Sequence, residues 1–253
     1  MIACSNPAEI VPNAVAAPAV VAVAPVAPAA PTLEAPPFTD NLLPFAADRE
    51  ALTVAYLRAH RLIDRGTAPV CGPEKAACIA PALTGDAAAD LHMTPRVIVL
   101  HWTAGPTPAS ARNTFASARL SGRAELADAG ALNVGAHFLV DRDGTIERLF
   151  PEDRVVRHTI GLNHVAIGVE NVGGGDQWPL TDAQVEANAA LIRWLTGRYP
   201  ITHLIGHLEY RGLEGHPYFE EQDPKYRTTK PDPGAPFMTA VRAKVAELGL
   251  LGG

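Results

Sequence analysis

The chain has 253 residues, 47% of them hydrophobic, with a net charge of −6 and a pI near 5.8. That length holds one sizeable domain with appendages and can supply a real core. The acidic balance argues against a general nucleic-acid binder, which carries a basic face, and no apolar run is long enough and free enough of proline to span a bilayer.

The chain opens with MIACSN and continues into NAVAAPAVVAVAPVAPAAPTLEAPP. Proline removes backbone donors and clashes with the preceding turn, so residues 1–40 read as a disordered Ala/Pro/Val-rich spacer. Ile2-Ala3-Cys4 resembles the end of a bacterial lipoprotein signal, where a small residue precedes the lipidated cysteine. With Ser5 behind it, the expectation is a lipid anchor on Cys4. The location implied is the cell envelope, on an outer membrane and facing the periplasm. Cys71 and Cys78, in CGPEKAAC, are either a bridge suited to an oxidising compartment or two thiols.

From Pro44 the composition turns globular. ADREALTVAYLRAHRL carries Leu52, Ala55, Tyr56 and Ala59 at helical spacing, and residues 41–94 read as a helix-and-loop extension. RVIVLHW is a buried strand of β-branched residues ending at His101. PTPASARNTFASARL is a helix entered through Thr107 and Pro108. AHFLVDRDGTIERLF is a hairpin with Asp143-Gly144 at its turn, and VAIGVENV is a second buried strand. TDAQVEANAALIRWLTGRYP is an amphipathic helix, with Thr181 and Gln184 at capping-box spacing and Pro200 beyond its end. HLIGH is a short strand or strand end, and PFMTAVRAKVAELGL closes the chain as a helix. The mixture predicts an α/β fold: a single domain with a central mixed β-sheet flanked by helices.

Three positions carry metal chemistry. His101 ends an apolar strand, and His207 repeats the pattern after Gly206. Asp232 stands in KPDPG, two residues after Lys230. A strand-end histidine alone is more often structural. Two imidazoles and a carboxylate together form a standard protein ligand set for catalytic zinc. An extended X-Pro segment would turn Lys230 and Asp232 to one face, with Pro231 and Pro233 limiting their freedom. Trp102, beside His101, is the better placed of the three tryptophans to stack on a sugar. Trp194 reads as core. His137 reads as core or support to the ligands, His164 and His203 as structural or surface residues, and His216 as a rival ligand.

VIVLHWTAG, NVGAHFLVDRDGTI, HVAIGVEN, LIGH and KPDPG occur in this order. Together they resemble the zinc-dependent N-acetylmuramoyl-L-alanine amidases, a family that includes phage amidases and peptidoglycan recognition proteins. The resemblance covers roughly residues 95–248, and residues 95–250 are the expected catalytic domain. It implies one zinc ion held by His101, His207 and Asp232, with Glu170 and Lys230 catalytic and the loop residue His158 near the substrate. The implied reaction is hydrolysis of the amide between N-acetylmuramic acid and L-alanine by zinc-activated water, and the implied partner is peptidoglycan or muropeptides. Some relatives carry a tyrosine where this chain has Ala136, so its role is absent here. The long span between His207 and Asp232, LEYRGLEGHPYFEEQDPKYRTT, either lines one side of the groove or decorates the surface. The alternative function is a non-catalytic peptidoglycan-binding module on the same fold.

Overall fold

A computed structural model of the chain describes residues 34–60, 91–122, 126 and 129–253. Cys4, with the lipid anchor expected on it, and Cys71 and Cys78 lie outside those residues. Six strands pair into one sheet: β1 (Phe38–Asp40), β2 (Val97–Trp102), β3 (Phe138–Val140), β4 (Ile146–Arg148), β5 (Ala166–Asn171) and β6 (His203–Gly206). Their order is β1-β4-β3-β5-β2-β6. The β3–β4 hairpin is antiparallel and the other pairings are parallel, so the sheet is mixed, as expected. The helices are α1 (Ala47–His60), α2 (Pro108–Ala116), α3 (Asp182–Arg198) and α4 (Ala235–Lys244). Among the described residues, no helix is long and apolar enough to cross a membrane.

Side-chain alternation along the central strands divides the interior. Ile98 and Leu100 of β2, Ile167 and Val169 of β5, and Phe138 and Val140 of β3 pack with Leu191, Ile192 and Leu195 of α3 and Met238 and Val241 of α4. Trp194 sits in that core as expected. The intervening residues Val97, Val99 and Ala166 turn to the other face, against Leu162, Tyr210, Tyr218 and Phe219. His101 and Glu170 continue this second register at the C-terminal ends of their strands. That end of a parallel sheet is where a crevice opens.

Helix α3 is fixed by its cap. Thr181 Oγ1 accepts from the Gln184 N–H at 3.2 Å, and Gln184 Oε1 accepts from the Thr181 N–H at 3.0 Å. The Gln184 amide also donates to the carbonyls of Val140 and Val172, tying the helix to the ends of β3 and β5.

Two expectations are corrected. Phe38–Asp40 pairs in parallel with Ile146–Arg148, so the end of the stretch read as spacer is an edge strand of the sheet. Helix α1 forms where expected, but Ala55 and Ala59 are exposed and Leu52 is half-buried. Its buried face runs through Arg49, Thr53, Tyr56, Leu57 and His60. Arg49 and His60 are held there by hydrogen bonds, which apolar periodicity cannot register. Arg49 donates to the carbonyls of Phe115 and Ser117, each at 2.7 Å, at the C-terminal end of α2. The two ring nitrogens of His60 meet Glu221 Oε1 at 3.0 Å and the Ala129 carbonyl at 2.9 Å. The extension is thereby joined to α2 and to the long span after His207.

Candidate metal centre

β2 lies between β5 and β6, and this order assembles the site. His101 is in register with Glu170 across the parallel β2–β5 pair, so both side chains leave the same face of the sheet. His207 follows β6 directly and opens a 3₁₀ turn, His207–Leu213. The Leu208 N–H donates to the Asp232 carbonyl at 2.8 Å, which brings the Lys230–Pro233 turn alongside. Gly206 is required for this approach. A Cβ there would stand 2.9 Å from Pro233 Cδ and 3.0 Å from Leu208 Cδ2 and Met238 Cγ.

His101, His207 and Asp232 are 2%, 7% and 7% exposed. His101 Nδ1 lies 3.0 Å from His207 Nδ1, and Asp232 Oδ2 lies 3.2 Å from the first and 3.0 Å from the second. Among the described residues, this is the one group of three such side chains whose ligand atoms gather within 4.8 Å. Burial would raise the Asp232 carboxyl, but the imidazoles of His101 and His207 beside it outweigh this and hold the group well below the usual carboxylate range. Burial, and then the neighbouring His101, lowers His207 to about 4. Both residues therefore offer lone pairs at neutral pH, the condition for binding a cation. Ligand atoms about 2.0–2.1 Å from a tetrahedral zinc stand about 3.3 Å apart, close to the spacing found here. The donor set fits zinc.

The tautomer of His101 follows from its neighbours. The Ala166 carbonyl, an acceptor only, lies 3.0 Å from His158 Nε2, so that nitrogen carries the proton. His158 Nδ1 is then the acceptor for His101 Nε2–H at 3.1 Å, and His101 Nδ1 is left unprotonated toward the cluster. Gly168 admits this arrangement, since a Cβ there would stand 2.8 Å from His158 Cγ. On the backbone side, Asn171 Nδ2 donates to the His101 carbonyl at 3.0 Å, and Asn188 Nδ2 donates to Asn171 Oδ1 at 2.7 Å. Both asparagines are fully buried.

A cleft of about 380 Å³ opens beside the side chains of His101, His207 and Asp232. Glu170, Lys230, Trp102 and His158, the other residues singled out from the sequence, all line it and are half-buried. Both ring nitrogens of His158 are engaged within the protein, through His101 and Ala166. His137 is supporting structure: Nε2 donates to the Arg154 carbonyl and Nδ1 accepts from the Gly168 N–H. His216 stands apart from the cluster, accepting from the Tyr218 N–H and packing against His203 and Tyr218. His203 and His164 are buried, and His164 lies 3.6 Å from Glu220. The long span contributes Tyr226, Thr228 and Thr229 to the cleft wall, while its Phe219, Glu220 and Glu221 pack elsewhere.

Sequence reasoning missed Tyr56, Arg157 and Asn163 as lining of the same cleft, while Tyr226 belongs to the long span expected either to line the groove or to decorate the surface. Arg157 and Asn163 stand beside His158 and the HVAIGVEN stretch, but neither carries a signal of its own, and Tyr56 is marked only by helical spacing. Helix α1, within the stretch read as a helix-and-loop extension, contributes Tyr56 to this wall.

A family model described as N-acetylmuramoyl-L-alanine amidase matches residues 91–235. The endolysin of Enterobacteria phage K11 is 36% identical over 83 residues, 31% of this chain and 55% of that protein. The endolysin of Escherichia phage T7 is 39% identical over 85 residues, 32% of this chain and 56% of that protein. The chain thus spans about half the length of the curated relatives it matches. Among solved structures, the N-acetylmuramoyl-L-alanine amidase LysC from Clostridium intestinale URNW aligns with 63% of this chain and 88% of its own. Identity there is 24% and the TM-score is 0.45.

Proposed function

Since the chain belongs to the N-acetylmuramoyl-L-alanine amidase family, we propose that it hydrolyses the amide joining N-acetylmuramic acid to L-alanine in peptidoglycan or muropeptides. The observation that carries this reading is the convergence of His101, His207 and Asp232 at 3.0–3.2 Å in a cleft also lined by Glu170 and Lys230. Those three residues would hold zinc. Bound there, zinc supplies Lewis-acid activation of water and of the scissile carbonyl. Glu170 takes a proton from the attacking water on a carboxylate oxygen and returns it to the departing alanine nitrogen. Lys230 Nζ donates to the carbonyl oxygen as negative charge develops on it. His158 keeps His101 in the tautomer that presents Nδ1, and Trp102 offers an apolar face to the sugar. The products are a muramic acid carboxylate and a peptide with a free alanine amine.

The test is digestion of purified peptidoglycan by the metal-loaded protein, with products identified by mass spectrometry. Stem peptides with free L-alanine amines and intact glycan strands are expected, and a chelator should abolish their release. Tight binding to the wall with no cleavage of any preparation would replace this reading with a binding module.

In the same reading the protein works in the cell envelope on the side facing the wall, tethered at the outer membrane through Cys4. Ile2-Ala3-Cys4 and the spacer behind it support that placement. Palmitate labelling of the protein expressed in its native host should be lost in Cys4→Ala. Equal labelling of both would exclude Cys4 as the anchor.

A further inference from the structure

Building on the amidase reading, we propose that Tyr56 and Tyr226 form a paired hydroxyl-donor subsite that binds a carboxylate on the peptide part of the substrate. Tyr56 lies on α1, before the first residue of the family match, and Tyr226 lies in the long span between His207 and Asp232. Both line the cleft that holds the three ligands.

The direction of each hydrogen bond follows from its partner. Asn163 Oδ1 accepts from the backbone N–H groups of His158 and Thr159, both at 2.8 Å. That fixes the amide, so Asn163 Nδ2 faces Tyr56 and donates to its hydroxyl oxygen at 3.1 Å. Tyr56 is the acceptor there, and its own hydrogen is left to donate. Tyr226 is in the same condition: Arg157 Nη2 donates to its hydroxyl oxygen at 3.1 Å, and a guanidinium has no acceptor to offer in return. Among the described residues neither hydroxyl hydrogen meets an acceptor. Burial raises the Tyr56 phenol above its usual value, with Tyr226 nearby adding to the effect, so Tyr56 remains a donor throughout the working pH range.

Two charged groups act on Tyr56: the Glu221 carboxylate, hydrogen-bonded to His60 at 3.0 Å, and the Arg157 guanidinium, which alone is bonded to Tyr226. The Arg157 guanidinium carbon lies 5.0 Å from the Tyr56 ring centre, and its bond to Tyr226 polarises that O–H further. Arg157 is itself committed, donating to the carbonyls of Leu126, Gly130 and Leu132, so it is a fixed positive background and not a mobile clamp. Two hydroxyl donors backed by a cation suit a group that only accepts, a carboxylate, better than a sugar hydroxyl that must also donate. In a muramoyl peptide the lactyl carboxyl is tied up in the amide, so the free carboxylates lie in the peptide.

The test compares a muramoyl dipeptide bearing free carboxyls with the same dipeptide amidated at both. The wild-type protein should favour the acid, and Tyr56→Phe or Tyr226→Phe should reduce the acid-over-amide ratio of kcat/KM by about 10-fold or more. Zinc content should be retained in both variants. An unchanged ratio in both variants would overturn the subsite and leave the amidase reading intact. If Tyr56→Phe fails to fold, Tyr226→Phe decides the matter alone, since Tyr226 is half-buried on the outer span. If the wild type cleaves neither dipeptide, digestion of purified peptidoglycan judges the amidase reading separately. Calorimetric titration of the two dipeptides onto wild type and Tyr226→Phe then decides the subsite: a lost acid preference supports it, and an unchanged one refutes it.

Discussion

His101 Nε2 lies 3.1 Å from His158 Nδ1, and the two rings meet edge to face at 88°. The contact fixes which nitrogen of His101 carries its proton, and so which one is offered to a metal. Such supporting partners typically change metal affinity about 10- to 100-fold. His158→Phe, which cannot accept from His101, should weaken zinc binding by that factor, while His158→Gln, whose side-chain oxygen can accept, should recover part of it. Competition with a chromogenic chelator measures both, and equal affinity in all three proteins would remove this role.

His207→Ala leaves Asp232 and His101 without their third partner. Metal content measured by mass spectrometry should fall to about a tenth or less of one ion per chain, and amide hydrolysis should fall with it. Full zinc occupancy in this variant would overturn the ligand assignment.

Glu170 sits across the strand pair from His101 but is not a member of the ligand triangle. A proton carrier contributes to the transition state and little to metal affinity. Glu170→Gln should keep zinc, fold and wall binding while losing about 100- to 10,000-fold in turnover. Cleavage at the wild-type rate would assign the proton transfer to another group.

His137 is fully buried, and burial lowers its imidazole to about 4. The unfolded chain, with an ordinary value near 6.5, binds the proton first, so stability is highest above about pH 6.5 and declines as pH falls toward 4. The contribution lost by pH 5 is about 2 kcal/mol. Urea midpoints at pH 7.5 and 5.0, compared between wild type and His137→Gln, read this out. In NMR the ring should remain neutral down to about pH 5, and titration near 6.5 would contradict the assignment.

Asn188 supports Asn171, which holds the His101 carbonyl. Asn188→Ala leaves Asn171 Oδ1 buried without its donor, at a cost of about 1–3 kcal/mol. Thermal unfolding measures this, and an unchanged melting temperature would show that the amide chain contributes nothing.

The three converging side chains were legible in the sequence because each stands at a local signal: an apolar strand reaching His101, a short strand and Gly206 before His207, and a proline-bounded turn around Asp232. The hairpin turn at Asp143-Gly144 and the Thr181 cap were legible for the same reason, since both are decided within four residues. What the helix periodicity of α1 did not disclose was its inward face, because Arg49 and His60 are buried by hydrogen bonds to α2, Ala129 and Glu221. Only the tertiary structure sets β2 between β5 and β6, and that order turns three separate motifs into one cluster. It also decides that Tyr56 and Tyr226, 170 positions apart, share a cleft wall around Arg157. A local window records propensity and periodicity, whereas a pocket is defined by which distant segments the sheet order brings together.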